Sequence, residues 1–299
     1  MSELPAGLRA GPLTREDAAE ATRLWRACEL HDDGAAMFGD EDFVALFKRP
    51  SFDAGRHSIA VRDGGSIVAL AILYGARHVV VHVLPEHRGR GIGTWLADWT
   101  QQAGRAAGNV VSCQSVSEHE HAAAELLRAA GYEARWESWN FAIELAREPD
   151  PPVVPEGYAL RPLAPGRDDR AVHRVIDDAF SEWEGQTRLA FEDWAAERLG
   201  RPGFAPEHIA VAVRGEEIVG AVVMVVDGDE AWVGQLAVAR PHRRRGLARA
   251  LLVAGFGIGW RAGLRRCGLD TDSRTGARGL YEHVGMHVTC TFTDYAKAL

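Results

Sequence analysis

Lysine is almost missing. Only Lys48 and Lys297 occur, against 32 arginines in 299 residues. Acidic residues number 42 and the net charge is −8, so no basic excess exists to hold a polyanion. Nucleic-acid binders usually carry a basic face, and that role is not expected here. Cysteine is scarce: Cys28, Cys113, Cys267 and Cys290 stand far apart, without metal-ligand spacing or a disulfide framework. They read as thiols in a reducing compartment, and no metal is expected. No apolar run reaches the roughly 18 residues of a membrane span. Residues Met1–Leu13 lack the basic start and apolar core of a secretory leader. The expected location is the cytoplasm, with neither membrane nor nucleic acid as partner. Absent as well are the Walker ending Gly-Lys-Ser/Thr and the Rossmann fingerprint.

What is present is an ordinary globular mixture, 46% apolar and 25% charged. At roughly 150 residues per domain the length suits two domains. A proline-rich run, Ala146–Gly157, forbids a helix and favours an extended spacer. It divides the chain into an expected first domain (1–147), a linker (148–156) and a second domain (157–299).

The two halves repeat each other. Val83, His87, Arg88, Arg90 and Gly91 coincide with Val238, His242, Arg243, Arg245 and Gly246 at one offset. Ala123, Leu126 and Gly131 coincide with Ala277, Leu280 and Gly285. Upstream, Val61-Arg62 and Ile67-Val68 match Val213-Arg214 and Ile218-Val219. Three blocks in one order indicate duplication. Each half reads as helix, hairpin, strand, helix, strand, helix, strand. Thr14 and Asp168 are expected helix N-caps. The fold class expected is α/β (α+β): two tandem domains, each a mixed, mostly antiparallel sheet flanked by helices.

In each half a strand runs into Arg-x-x-Gly-x-Gly/Ala and then a helix. Glycine lets a backbone turn tightly and approach a ligand. The free N–H groups of a helix's first turn form an anion site, and arginines add charge-assisted contacts to phosphate. These segments resemble the coenzyme A pyrophosphate loop of the GCN5-related N-acetyltransferase superfamily. In the second half Leu280-Tyr281-Glu282-His283-Val284-Gly285-Met286 resembles the superfamily's L-Y-x-x-x-G-F. The two-domain layout is similar to that of actinobacterial tandem acetyltransferases, mycothiol synthase among them.

The resemblance implies an enzyme that moves an acetyl group from acetyl-coenzyme A directly to a primary amine of a small molecule. It implies that the strand ending at Val238 splays from its neighbour. Backbone at Leu236 and Val238 would then hold the thioester arm, and Arg243, Arg244, Arg245, Gly246, Leu247 and Ala248 the pyrophosphate. Val83, Arg88, Gly89, Arg90, Gly91, Ile92 and Gly93 are the first-half counterparts. Tyr281 stands where the superfamily has a general acid, and a phenol of pKa near 10 is protonated at pH 7. Leu127 stands in its place in the first half, so the second half is the expected catalytic domain and the first is expected to bind coenzyme without turnover or to be structural. The alternative is a module that senses or scaffolds acyl-coenzyme A without turnover.

No Glu or His stands where many members of the superfamily carry a base: Trp232 and Gly234 occupy those positions. This also argues against a mycothiol-synthase role. Yet an amine of pKa near 10.4 costs about 4.6 kcal/mol to deprotonate at pH 7. Glu230, on the same strand face as Trp232, is either a water-mediated base or a solvated turn carboxylate. Glu182, Trp183 and Glu184, after the second half's first helix, are candidate acceptor contacts, with Trp232 as an apolar wall. Asp270 and Asp272 end a strand near the expected meeting point. His119 and His121 read as a polar loop. A monomer or homodimer is expected.

Overall fold

The structure, a computed structural model, describes residues 2–75, 77–183 and 188–299. Glu184 lies outside the described residues. In chain order the first half holds β1 (Leu8–Gly11), α1 (Ala18–Asp33), α2 (Asp40–Lys48), α3 (Ala54–His57), β2 (Ser58–Asp63), β3 (Ser66–Tyr74), β4 (His78–Val83), α4 (Ile92–Ala106), β5 (Val111–Ser117), α5 (His121–Ala129) and β6 (Glu133–Glu144). The second holds β7 (Ala159–Pro162), α6 (Asp169–Phe180), α7 (Phe191–Arg198), β8 (Ile209–Arg214), β9 (Glu217–Asp227), β10 (Glu230–Val238), α8 (Leu247–Arg261), β11 (Arg266–Asp272), α9 (Arg278–His283) and β12 (His287–Ala298). Among the described residues no helix is long and apolar enough to cross a membrane.

The chain forms two compact units. One comprises the residues up to Ser138 together with Cys290–Leu299, and the other is Trp139–Thr289. The linear cut at the proline-rich run therefore assigns both long strands differently. The last nine residues of β12 belong with the first unit, where Phe292–Ala298 pair antiparallel with Ser117–Val111 of β5. The end of β6 belongs with the second unit, where the Leu145 N–H donates to the Arg265 carbonyl at 2.7 Å. A period-two pattern announces a strand but not the edge it joins.

In the first unit the sheet order is β1-β2-β3-β4-β5 and then β12. In the second it is β7-β8-β9-β10-β11, with β6 beyond β11. Parallel pairing joins β4 to β5 and β10 to β11. β3 (SIVALAILY) is buried along nearly its whole length because helices cover both its faces. In the second unit α6 and α7 cover one face through Val172, Ile176 and Trp194, while α8 and α9 cover the other through Leu247, Leu251 and Tyr281.

Two caps differ in detail. Asp17, not Thr14, is the residue preceding α1, and Thr14 donates to its carboxylate through both N–H and hydroxyl. Asp168 does precede α6, but its carboxylate accepts from Arg161, Arg167 and the Ala164 N–H instead of capping the helix. Burial alone would raise its pKa, but these donors hold it well below the usual carboxylate range.

The exchanged segment anchors the first unit. Tyr295 is fully buried beside Val116, Leu127 and Tyr132, and its hydroxyl accepts from Arg128 at 2.6 Å. Truncation by Tyr295→Ala is expected to cost about 3–5 kcal/mol in denaturant unfolding of that unit, the range for a lost buried aromatic.

Candidate active site

β10 and β11 keep parallel register for only two pairs, Ala231 with Cys267 and Trp232 with Gly268. Beyond Trp232 the β10 register against β9 slips between Val233 and Gln235, which makes Gly234 a bulge. From there β10 follows β9, and a wedge opens on its β11 side.

The backbone direction inside that wedge follows from one hydrogen bond. The Ala239 N–H donates to the Val219 carbonyl, so Ala239, Ala237 and Gln235 are the residues that bond to β9. Leu236 and Val238 alternate with them and turn their N–H and C=O groups into the wedge. The Val238 carbonyl is met there by Arg243 Nε at 2.8 Å. That arginine also grips Glu182 bidentately, at 2.7 and 2.9 Å, and holds its carboxyl below the usual carboxylate range. Glu182 is thus a clamp on the loop, and its two oxygens already have partners. Trp183 packs on Phe180, with ring centroids 4.8 Å apart.

The loop then enters α8 through two left-handed residues, Arg244 (φ 58°) and Gly246 (φ 87°). The first helical bond runs from the Ala250 N–H to the Gly246 carbonyl, leaving the N–H groups of Leu247, Ala248 and Arg249 without an intrahelical partner. Arg244 and Arg245 are exposed beside them. A cradle of N–H groups at a helix start, flanked by cationic side chains, fits a pyrophosphate.

The wedge has two chemical faces. Towards α9, Tyr281 is buried, tilted against Phe141 and close to Thr271. Burial pushes this phenol up to about 12, so it stays protonated at neutral pH. Towards α7, Asp270 lies near Trp232 and Arg198, whose indole N–H and positive charge both favour its ionised form. Gln235 accepts from the Trp194 indole at 2.8 Å.

Glu230 stands level with Arg266 in the register, and its Oε1 leans over Gly268, two residues before Asp270 on the same strand face. One of its oxygens pairs with Arg266 at 3.2 Å, and that arginine also reaches Glu144 at 2.9 Å. Burial raises its pKa, partly offset by Arg266. With one oxygen paired to Arg266 and Oε1 buried, it is not a solvated turn carboxylate.

The first unit repeats the scaffold with other side chains around the opening. Only His78 pairs with β5, at Cys113. Gly89 and Gly91 are left-handed, with φ 73° and 86°. Arg88 repeats the clamp, with Nε on the Val83 carbonyl at 3.0 Å and both terminal nitrogens on Asp32 at 2.7 Å. Cys28 donates to that same carbonyl, and Ser117 and Cys290 both donate to Asp33. Arg90 is tied to His87 and Asp63, and Leu127 is core. Ile92 is buried and Gly93 packs on Leu126. His119 and His121 are exposed, and no group of metal-type side chains occurs among the described residues.

Sequence reasoning missed α7 altogether and treated Asp270 as secondary. One tryptophan in a polar eight-residue run carries little periodic signal.

The fold and the wedge define a class, a tandem pair of acyltransferase-type units. Residues 19–132 and 170–286 both match the model of the acetyltransferase (GNAT) family. The mycothiol acetyltransferase of Actinosynnema mirum is 30% identical over 275 residues, covering 87% of this chain and 89% of that protein. That of Pseudarthrobacter chlorophenolicus is 32% identical, covering 94% and 92%. A GCN5-related N-acetyltransferase structure from Sphaerobacter thermophilus superposes with a TM-score of 0.80 at 29% identity, covering 99% of this chain and 97% of that one. A tandem GNAT protein of the clavulanic acid biosynthesis pathway shares the fold at 18% identity, with a TM-score of 0.74 and coverage of 97% and 98%. The chain belongs to the GNAT acetyltransferase family and is an acetyltransferase enzyme.

One local constraint is testable. A Cβ on Gly268 would collide with the side chains of Trp232 and Glu230 that lie across it. Gly268→Ala is expected to lower stability by about 1–3 kcal/mol, as overpacking does. Equilibrium unfolding and tryptophan fluorescence read the shift.

Proposed function

We propose that the second unit transfers an acetyl group from acetyl-coenzyme A to a primary amine of a small molecule. The observation that carries this reading is the buried Tyr281 phenol beside a parallel strand pair that has come apart. Acetyl-coenzyme A supplies the activated thioester. The N–H groups from Arg243 to Ala248 bind its pyrophosphate, with Arg244 and Arg245 as counter-charges. Backbone at Leu236 and Val238 aligns the pantetheine arm, and N–H groups there stabilise charge on the thioester oxygen. Tyr281 supplies the proton that the departing thiolate needs.

Transfer is direct. The cysteine closest to the wedge in sequence, Cys267, is buried, and burial pushes its thiol up to about 12. Such a thiol is not a nucleophile at neutral pH. The first unit, with leucine in place of the phenol, holds no turnover site in this reading. The name carried by the relatives supports a small-molecule acceptor. The protein acts in the cytoplasm, without metal or nucleic acid.

Calorimetric titration with acetyl-coenzyme A, paired with a thiol-release assay across an amine panel, tests this. Gly246→Trp is expected to abolish coenzyme binding in the second unit, while Gly91→Trp leaves turnover intact. Tyr281→Phe is expected to lower kcat about 10²–10⁴-fold, the worth of a positioned general acid, with coenzyme affinity unchanged. Absence of binding at millimolar coenzyme, or a fully active Tyr281→Phe, overturns the proposal.

A further inference from the structure

The reaction needs a proton acceptor, and the strand positions where the superfamily places one hold Trp232 and Gly234. The neighbouring strand supplies a carboxylate instead. On β11 the odd residues Cys267 and Leu269 pack against α8 and α9, and Thr271 lies close to Tyr281. The even residues Gly268, Asp270 and Asp272 therefore face the α7 side. On β10, Trp232 lies over Gly268 on that same side, and Gln235 bonds Trp194 of α7 there. Asp270 stands two residues beyond the last parallel register pair, where the strands have parted.

We propose that Asp270 is the catalytic base of the second unit, taking the proton of the acceptor amine on the α7 side of the wedge while Tyr281 acts on the α9 side. This rests on the acetyl-transfer reading above. The tryptophan at the expected base position contributes through its indole N–H, which favours the ionised Asp270 carboxylate. Asp272, the other carboxylate on this strand face, is otherwise engaged. It accepts from the Arg274 N–H at 2.9 Å and pairs with the Arg274 guanidinium.

The charged groups around Asp270 set its titration. Its carboxylate is open to solvent on one side but ringed by protein, and this desolvation raises its pKa. The Trp232 N–H and Arg198 of α7 favour the ionised form, while Asp272 on its own strand opposes it. Tyr281 on α9 feels the Asp270 charge and is pushed up further by it. The net direction is upward, the direction that makes a carboxylate a better base.

The step balances. The neutral amine nitrogen forms the N–C bond to the thioester carbonyl carbon, and the C–S bond breaks with its electron pair on sulfur. Sulfur takes the Tyr281 proton, and the surplus proton on nitrogen goes to Asp270. Water carries that proton back to the Tyr281 phenolate, so only donor and acceptor are consumed.

Asp270→Asn tests the assignment, because an amide keeps the shape of the carboxyl but takes up no proton. The expected result is a loss of at least about 10²-fold in kcat, with acetyl-coenzyme A affinity unchanged. The acidic limb of the wild-type rate profile, where Asp270 protonates as pH falls, is lost in the residual activity. Asp270→Glu restores part of kcat. Stability supplies a second readout. A carboxyl whose pKa is raised in the folded state costs stability once pH exceeds that pKa, so the asparagine protein melts no lower than wild type at neutral pH. Activity within two-fold of wild type overturns the assignment. So does a raised KM at unchanged kcat, which makes Asp270 an ammonium anchor, and so does a loss of activity matched by a fall in melting temperature. A wild-type protein that binds no coenzyme, or releases no thiol with any amine, overturns the acetyl-transfer reading and this inference with it.

Discussion

Two parallel strands that stop pairing are the constraint on which the second unit's site depends. A buried strand edge leaves N–H and C=O groups without partners, at a cost that proteins usually avoid. Here the bulge at Gly234 swings β10 away from β11, and the alternation of the ladder decides that Leu236 and Val238 present the freed groups. Arg243 keeps the opening from relaxing. One guanidinium holds the last carbonyl of β10 and the carboxylate of Glu182 after α6, so strand, loop and helix meet at one cation. A planar, five-donor fork can do this; a lysine ammonium cannot occupy three such directions with the same rigidity.

The duplicated unit carries the same clamp with other side chains around it. Its arginine clamp is intact, and its loop has glycine at both left-handed positions, where the second unit sets Arg244 in one of them. An L-residue there is strained by roughly 1–2 kcal/mol. The second unit tolerates that strain and gains an exposed cation beside the loop. The first unit avoids it, and its own side chains take the polar positions near β4 and β5: the Cys28 thiol on the Val83 carbonyl, and Asp33 between Ser117 and Cys290.

What could be read from the sequence was what is encoded locally. The loop shows itself by glycine and arginine within six residues, the tyrosine by its distance from Gly285, the duplication by matched offsets. A further block lay in plain view and went unread: Pro5, Gly7, Pro12 and Leu13 match Pro155, Gly157, Pro162 and Leu163. It marks the tail of the proline-rich run as the start of the second repeat, and in both copies that proline lies near the left-handed loop glycine. Features made by distant pairing left no such trace. Glu182 reads as a free acceptor contact until Arg243 is seen to reach it across 61 positions of chain. Glu230 allows the reading of a solvated turn carboxylate until the register places it beside Arg266. The strand of residues 290–298 reads as the end of its own domain, since alternation carries no record of the partner edge.

The same reasoning explains why the proposed acid, on α9, and the proposed base, on β11, sit on different faces of the sheet. A phenol must remain protonated, and deep burial among Phe141 and the α8–α9 core disfavours its anion. A carboxylate base must remain ionised through the working range while being more basic than one in bulk water. That requires partial enclosure together with a donor and a cation, which the Trp232 indole and Arg198 provide on the open α7 side. One environment could not serve both groups. A sheet whose two faces are covered by different helices can serve both at once, and a wedge through that sheet lets a single thioester reach the two. With glutamate in place of Trp232, the base would stand on the coenzyme's own strand. With tryptophan there, Asp270 on the facing strand is the carboxylate that the opening leaves within reach.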